Sequence, residues 1–466
     1  MGFHLAVALL MIRLVNVELS NKRVLVVGLG KSGLAAARFL KEHGARVTVS
    51  DARPATLIAE LPGLLEQGIM VEAGSHGLLT FRRQDLIVVS PGVPASTPEL
   101  KQVRAMGMHI IGELELGAQS LQGKVLAITG SNGKTTTTSL LGEILKAAGK
   151  PTLVGGNIGK PVTELVPEST PETWSVLEVS SFQLETVETF RPRIAMVLNI
   201  TPDHLDRHGN FENYAAAKAR ITEFQTAEDF LVLNAEDKAT QMVAAKTKAQ
   251  IYWFSARRQI KQGAFVHGET IFFIPSEGAK PEPVMPVAEI PLAGAHNVEN
   301  VLAAVCAARL AGVTSETIRT TVAAFKAVEH RLEFVRELHG VRYYNDSKAT
   351  NVDATVKAVE AFAGGIYLIL GGKDKNSDYA AMGPLLHERV KTVITIGSAA
   401  EKIEHQLAGV VKIERAETMD RAVALAHEAA VAGDTVLLAP ACASFDQFQN
   451  YEHRGQVFKS LVQSLN

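Results

Sequence analysis

The six residues Gly130-Ser-Asn-Gly-Lys-Thr135 carry the strongest chemical signal in the chain. They lie between an apolar run, Val125 to Ile128, and a stretch with Leu140, Leu141, Ile144 and Leu145 at helical spacing. A glycine loop joining a strand to a helix aims backbone N–H groups at one point. The helix dipole adds partial positive charge there, so phosphate is the natural ligand. Lys134 is placed to reach the outer phosphates, and the Thr135 hydroxyl to ligate Mg²⁺. Gly130, Ser131, Asn132, Gly133 and Thr136 complete the loop. It is a shortened form: the standard loop needs a glycine five residues before Gly133, where Ile128 stands. An ordinary glycine turn beside a surface lysine is the plain alternative.

Three further groups have types suited to metal or phosphate chemistry. Glu178 interrupts the apolar run Ser175-Val-Leu-Glu-Val179. A carboxylate inside a buried strand is costly unless paired or metal-bound, so a Mg²⁺ ligand is one reading and a half-exposed strand the other. Asp203, His204, Asp206 and His208 gather just past the strand Ala195 to Asn199. Asp and His at a strand end suit a divalent ion, although the spacing is not that of zinc and capping or loop roles serve equally well. Lys218 follows on a short helix, where a lysine is by default solvated.

The elements that must position these groups read as repeated α/β units. Arg23-Val-Leu-Val-Val27 is a strand, followed by Gly28-Leu-Gly-Lys-Ser-Gly33, a helix to about His43, and a second strand from Arg46 to Ser50. The motif is G-x-G-x-x-G with an acid, Asp51, 18 residues after the last glycine. Alone it suggests a dinucleotide dehydrogenase, yet the same turn cradles any pyrophosphate, including that of a UDP-sugar. The strand Leu86 to Val89 ends in Ser90-Pro-Gly-Val-Pro94, and more glycines recur at Gly155 to Gly159. Strands follow near residues 230–233 and 251–254, then an irregular β segment over 263–293 and an Ala-rich helix opened by Gly294 to Asn300. In the last third the strands Arg342 to Asn345, Ile366 to Leu370 and Val436 to Leu438 each run into a polar turn, and Val393 to Ile396 is a further strand. Polar turns at strand C-terminal ends share one edge of an open sheet, where such folds bind ligands.

A length of 466 residues suggests about three domains at ~150 residues each. The expected boundaries are 1–112, 113–327 and 328–466. A net charge of −2 leaves no electrostatic footprint for nucleic acid. Two distant cysteines, Cys306 and Cys442, exclude a disulfide framework and a cysteine zinc site, and suit a reducing cytoplasm. Phe3 to Val15 is apolar but too short to span a bilayer, and it lacks the basic lead of a secretory signal. No membrane insertion is expected. Met11 is an alternative start.

Taken together, Gly130–Thr135, Gly156-Asn-Ile-Gly159, Leu177-Glu-Val-Ser-Ser181, Asp203-His-Leu-Asp-Arg207, Gly294-Ala-His-Asn297, His330-Arg-Leu-Glu333 and Asn345-Asp-Ser-Lys-Ala-Thr-Asn351 resemble the Mur ligases of peptidoglycan synthesis. The resemblance runs from about Leu25 to Gly455. Asn345–Asn351, Pro440–Phe448 and Tyr451–Gly455 look like the branch that adds D-glutamate to UDP-N-acetylmuramoyl-L-alanine. The Asp-Asn-Pro-Arg motif of the diaminopimelate-adding branch is absent. So is the Gly-Thr-His-Gly-Lys loop of the L-alanine-adding branch.

The resemblance implies three α/β domains: a Rossmann-like one for UDP, a central P-loop-type ATPase domain with a mostly parallel sheet, and a Rossmann-like C-terminal domain for the amino acid. It implies ATP, Mg²⁺ (two ions) and an acyl-phosphate intermediate. It implies that Lys134 holds the phosphates, that Thr135 and Glu178 ligate one Mg²⁺, and that Glu178, His204 and Lys218 serve the second. The equivalent lysine in the family is carbamylated by CO₂, which makes Lys218 a metal-binding carboxylate and reverses the solvated default. Asn297, Arg331 and Asp346 resemble nucleotide contacts. Lys31, Ser32, Asp51, Arg53 and Gly92 resemble UDP contacts, and Asn157 and Ser180 muramoyl contacts. Thr350, Lys375, Ser444 and Tyr451 resemble the D-glutamate pocket, with Tyr451 standing where phenylalanine is expected. A cytoplasmic monomer is expected. The rivals are another Mur ligase or a folylpolyglutamate synthetase, an NAD-dependent dehydrogenase built on Gly28–Gly33, and a nucleotide-binding scaffold without catalysis.

Overall fold

The computed structural model describes residues 19–292, 294–326 and 329–466. The apolar stretch Phe3 to Val15, the alternative start at Met11 and the expected boundary between residues 327 and 328 lie outside the described residues. No described helix is long and apolar enough to cross a membrane.

The first sheet holds β1 (Arg23–Val27), β2 (Arg46–Asp51), β3 (Met70–Ala73), β4 (Leu86–Val89) and β5 (Ile110–Gly112), in the order β3-β2-β1-β4-β5 and parallel throughout. The turn after β1 explains its glycines by close approach: a Cβ on Gly33 would lie 1.9 Å from the Gly28 carbonyl oxygen. Only glycine lets the following helix, Lys31–Glu42, pack this near the strand end.

The second sheet holds β6 (Lys124–Thr129), β7 (Thr152–Gly156), β8 (Trp174–Glu178), β9 (Ile194–Val197), β10 (Phe230–Asn234), β11 (Gln250–Ser255), β12 (Gly263–His267), β13 (Thr270–Ile274) and β14 (Glu282–Pro286). Its order is β14-β13-β12-β11-β10-β9-β6-β8-β7. It is parallel from β7 to β12 and then turns antiparallel. Residues 263–286 therefore form an antiparallel meander, with one register shift between Ile271 and Phe272, where an irregular β segment was expected. The prolines that obscured it, Pro283 and Pro286, sit on the edge strand β14, where a missing N–H costs no ladder bond. The helix Lys134–Ala147 buries Leu140, Leu141, Ile144 and Leu145 completely against Leu126, Ile128 and Val176. Each such side chain contributes about 1.5–3 kcal/mol of transfer free energy and fixes the loop before it.

The third sheet holds β15 (Glu333–Leu338), β16 (Val341–Asn345), β17 (Ile366–Gly371), β18 (Val390–Ile396), β19 (Lys412–Glu417) and β20 (Thr435–Leu438), in the order β15-β16-β20-β17-β18-β19. Only the β15–β16 pair is antiparallel. In each sheet the strand order reverses beside one strand: β1 between β2 and β4, β6 between β8 and β9, β20 between β16 and β17. The crevice outside the strand ends at such a switch point is where open α/β sheets bind ligands. The turns at Gly28–Gly33, Ser90–Pro94, Gly130–Thr135, Asp203–His208, Asp346–Asn351, Gly371–Lys375 and Ala439–Phe448 follow these strands, whereas Gly155–Gly159 follows the edge strand β7.

Candidate active site

The loop after β6 is built around a left-handed glycine. Gly133 caps the helix at φ 85, and a Cβ there would lie 2.2 Å from Asn300 Oδ1. Lys134 folds back so that its Nζ donates to the carbonyls of Gly130 at 2.7 Å and Ser131 at 2.9 Å. Burial holds its pKa below the usual lysine value, against the pull of Glu178 and Asp203. The rest of the loop is fixed by the strand end beside it. The Asn132 N–H donates to Asn199 Oδ1 at 2.8 Å, and Ser131 Oγ donates to the Thr201 carbonyl at 2.9 Å.

Glu178, at the end of β8, is 1% exposed, so the half-exposed reading fails. Thr135 Oγ1 donates to its Oε2 at 2.8 Å and Asn157 Nδ2 to its Oε1 at 2.8 Å. Burial alone would raise its pKa. The charges of Lys348 and Lys134, with those hydrogen bonds, outweigh burial and hold it ionised below the usual value.

Lys218 is 2% exposed, which overturns its default as a solvated residue. Its Nζ donates to the same Gly130 carbonyl at 2.8 Å and sits 4.6 Å from the centre of the Tyr214 ring. Burial, and then the neighbouring charge of Lys134, drive its pKa far below the lysine value.

The group after β9 divides. His204 adopts a left-handed conformation at φ 53 as N-cap of the short helix Leu205–His208 and lines the inner cleft. Such backbone strain in a non-glycine residue costs of order 1–3 kcal/mol and concentrates at functional sites. Asp203 pairs with Lys375 at 3.1 Å and accepts from Asn351 at 3.0 Å, both from the third domain. Asp206 is exposed. His208 turns away to Ser181 Oγ at 3.0 Å and Glu185 at 3.5 Å. Neither Asp206 nor His208 joins the others.

Three clefts surround these groups. The outer one, about 590 Å³, is lined by Gly28–Ser32, Asp51, Arg53, Ser90–Val93, Asn157, Lys348 and Tyr451 among others. Lys31 closes one side by donating to the Gly159 carbonyl at 2.6 Å. Asp51 accepts from the Leu29 N–H at 2.6 Å and from Arg53 at 2.9 Å. These bonds outweigh its burial and hold its pKa down to about 2. The inner cleft, about 290 Å³, gathers Lys134, Asn157, Ser180, His204, Lys218, Thr350, Lys375, Ser444 and Tyr451. Ser180 is also the N-cap of the helix Ser181–Leu184, in a capping box with Gln183. The third cleft is narrow and lies between Asn132, Gly133, His296, Asn300, Arg331 and Asp346. The Nε of Arg331 and the Oδ1 of Asp346 are buried there without hydrogen-bond partners, and burial pushes the Asp346 carboxyl up to about 7. Asn297 is buried one helical turn before Asn300, whose Nδ2 donates to its Oδ1 at 3.0 Å. Thr136 Oγ1 is likewise buried without a partner.

Sequence reasoning quoted Lys348 within a motif but gave it no role. It is half-buried, with its Nζ 3.9 Å from the centre of the Tyr451 ring, and loss of solvation lowers its pKa to about 8 despite Glu178. Tyr214, Phe182 and Asp353 were also missed. Asp353 accepts from the side chains of Asn132 and Thr201, so the third domain touches the phosphate loop directly. A lysine in a polar turn at a strand end was the available signal for Lys348; the others depend on tertiary contacts.

The chain belongs to the Mur ligase family. The family described as Mur ligase MurD-like, N-terminal domain matches residues 22–112, Mur ligase middle domain matches 128–308, and Mur ligase, glutamate ligase domain matches 330–442. Over 446 residues the chain is 67% identical to the UDP-N-acetylmuramoylalanine--D-glutamate ligase of Acidobacterium capsulatum, covering 96% of this chain and 97% of that protein. The ligase of the same name from Koribacter versatilis is 59% identical over 96% of this chain and 98% of its own length. Among solved structures, a pseudomurein peptide ligase type C from Methanothermus fervidus shares the fold at a TM-score of 0.61 and 20% identity, covering 96% of this chain and all of that one. The UDP-N-acetylmuramate-alanine ligase of Thermotoga maritima does so at 0.60 and 20%, covering 95% and 100%.

Proposed function

We infer that this chain is an ATP-dependent ligase that joins D-glutamate to the alanyl carboxylate of UDP-N-acetylmuramoyl-L-alanine in peptidoglycan precursor synthesis. The observation that carries the reading is the cluster of Lys134, Thr135, Glu178 and Lys218 beside the inner cleft, which shares Asn157 and Tyr451 with the outer one, with the two relatives of matching length behind the choice of substrates.

The outer cleft takes the nucleotide-sugar, with Lys31, Ser32, Asp51, Arg53 and Gly92 toward UDP and Asn157 and Ser180 toward the muramoyl end. The narrow cleft takes ATP. Arg331 and Asp346 offer unpartnered polar atoms to it, as expected where a ligand supplies the missing bonds. A carboxylate oxygen attacks the γ-phosphorus and ADP leaves, giving the acyl phosphate. The amine of D-glutamate then attacks the acyl carbon, phosphate departs and the ammonium protons are lost. The first step brings two anions together. Lys134, and Lys348 across Glu178, offset that repulsion.

The donors fit Mg²⁺: a buried carboxylate at Glu178 and a hydroxyl at Thr135 are hard oxygen ligands for a hard ion, with the borderline ring nitrogen of His204 beside them. Mg²⁺, when bound, supplies charge that polarises the transferring phosphoryl group. The remaining donor is Lys218 as its carbamate. A buried lysine with a strongly depressed pKa favours the neutral amine, the form that reacts with CO₂. Thr350, Lys375, Ser444 and Tyr451 hold D-glutamate, Lys375 facing a substrate carboxylate. Asp203 holds Lys375 in place. We read the molecule as a cytoplasmic monomer; both cysteines are buried and unpaired, which suits a reducing compartment. The domains 1–112, 113–327 and 328–466 all line the outer cleft, and the second and third line the other two, so turnover requires their closure.

Phosphate release from ATP in the presence of UDP-N-acetylmuramoyl-L-alanine tests the reading across a panel of amino acids. Release should require D-glutamate. Release with another amino acid and not with D-glutamate overturns it.

A further inference from the structure

We propose that Arg207 is a positioning residue that ties the wall of the nucleotide-sugar cleft to His204, so that filling that cleft sets the imidazole at the reacting centre. The proposal rests on the assignment of the outer cleft to UDP-N-acetylmuramoyl-L-alanine.

One short helix, Leu205–His208, carries both ends of the link. His204 caps its N-terminus and lines the inner cleft. Arg207 points the other way, into the first domain. Its Nη1 donates to the Pro91 carbonyl at 2.7 Å and its Nη2 to the Val93 carbonyl at 3.2 Å. Those carbonyls flank Gly92, part of the outer cleft wall. The same Nη2 donates to Glu185 at 3.1 Å, and the guanidinium carbon lies 4.1 Å from the centre of the Phe182 ring. Phe182 in turn meets His204 edge-on at 4.8 Å between ring centres. The turn at Gly92 and the imidazole are thus joined twice, once through the helix and once through the stack of Arg207, Phe182 and His204.

The side chain type matters. A planar fork can bridge two carbonyls and a carboxylate while stacking on an aromatic face, and an ammonium cannot. The Nε is buried without a partner, a desolvation cost that the other contacts offset. A second contact between the same two domains provides the control. His109 and Glu188 pair at 2.7 Å on the exposed surface and line neither cleft.

Coupling of this kind is reciprocal and commonly about 5–150-fold in affinity. The test is calorimetry of UDP-N-acetylmuramoyl-L-alanine binding with and without Mg²⁺ and a non-hydrolysable ATP analogue, in the wild type, Arg207→Gln, Arg207→Lys and His109→Ala. The wild type and His109→Ala should gain at least about fivefold in affinity when the analogue is present, and both Arg207 variants less than about twofold. In steady state the Arg207 variants should raise KM for the nucleotide-sugar and lower kcat, with KM for D-glutamate unchanged. Thermal melts check folding, and if the Gln variant does not fold the Lys variant decides. A wild type without coupling, a wild-type gain in a folded Arg207 variant, or an equal loss in His109→Ala overturns the proposal. A wild type that releases no phosphate with D-glutamate refutes the functional reading instead.

Discussion

The side-chain nitrogens of Lys134 and Lys218 converge on one acceptor, the carbonyl oxygen of Gly130, at 2.7 and 2.8 Å. Two ammonium groups so placed repel each other, and loss of solvation disfavours both charges. Lys218 yields, with a pKa far below the lysine value. A neutral amine still donates a hydrogen bond, so the observed contact survives its deprotonation.

That relationship predicts how Lys218 responds to CO₂. Lys218→Ala should lose about 10²–10³-fold in kcat, the scale for removing a preorganised electrostatic group. Acetate or formate should restore part of it. Stripping CO₂ from the buffer should slow the wild type, and bicarbonate should reverse the loss. Full activity in the alanine variant removes Lys218 from the site.

Gly133→Ala tests the phosphate loop. The new Cβ would meet Asn300 Oδ1 at 2.2 Å in a left-handed conformation, itself worth about 1–2 kcal/mol of strain in a non-glycine residue. KM for ATP should rise while calorimetry shows unchanged binding of the nucleotide-sugar. Unchanged KM for ATP argues that the loop does not cradle phosphate.

How far the sequence reaches is clearest at the sheet edges. Apart from β12 and β13, which read only as an irregular β segment, every interior strand was legible, because runs such as Leu86–Val89 and Ile366–Leu370 are buried along their length. The strands that escaped, β3, β5, β7, β15 and β19, are all edges. β3, β15 and β19 are half solvated, so their apolar signal is diluted, and β5 is only three residues long. The site divides in the same way. Gly130–Thr135 and Glu178 carry local signals, a loop motif and a carboxylate in an apolar run. Lys218 carries none: its helix is short and polar in places, and only tertiary packing under Tyr214 buries it. Family resemblance, rather than residue physics, reversed that default.

Lys375→Met should raise KM for D-glutamate by about 10–150-fold, from the 1.5–3 kcal/mol typical of a hydrogen bond to a charged group. Asp203→Asn, which leaves the Lys375 charge but loosens its 3.1 Å pair, should give a smaller rise. In both, KM for ATP should stay within about twofold, since neither side chain lines the narrow cleft. Steady-state kinetics with each substrate varied in turn decides this. An equal rise for ATP would show a general loss of closure instead.

Glu113 sets a pH dependence of stability. It is 1% exposed, accepts from the Thr163 N–H and hydroxyl at 2.7 and 2.9 Å, and has its other oxygen unpartnered. Burial raises its carboxyl from 4.5 to about 7. A raised carboxyl pKa gives stability that is fully present below pH 4.5 and lost as pH rises through 7. Glu113→Gln keeps the protonated shape and removes that loss, by about 3 kcal/mol at most. Urea unfolding should find variant and wild type alike near pH 4, with the variant more stable near pH 8. Equal stability at both values contradicts a buried, titrating Glu113.

The central claim is tested most directly by the product. The enzyme is incubated with UDP-N-acetylmuramoyl-L-alanine, ATP, Mg²⁺ and either D- or L-glutamate, and the nucleotide-sugar is weighed by mass spectrometry. With D-glutamate its mass should increase by one glutamate less one water, matched by equal phosphate and ADP. No gain in mass with D-glutamate, or a gain only with a different amino acid, contradicts the account.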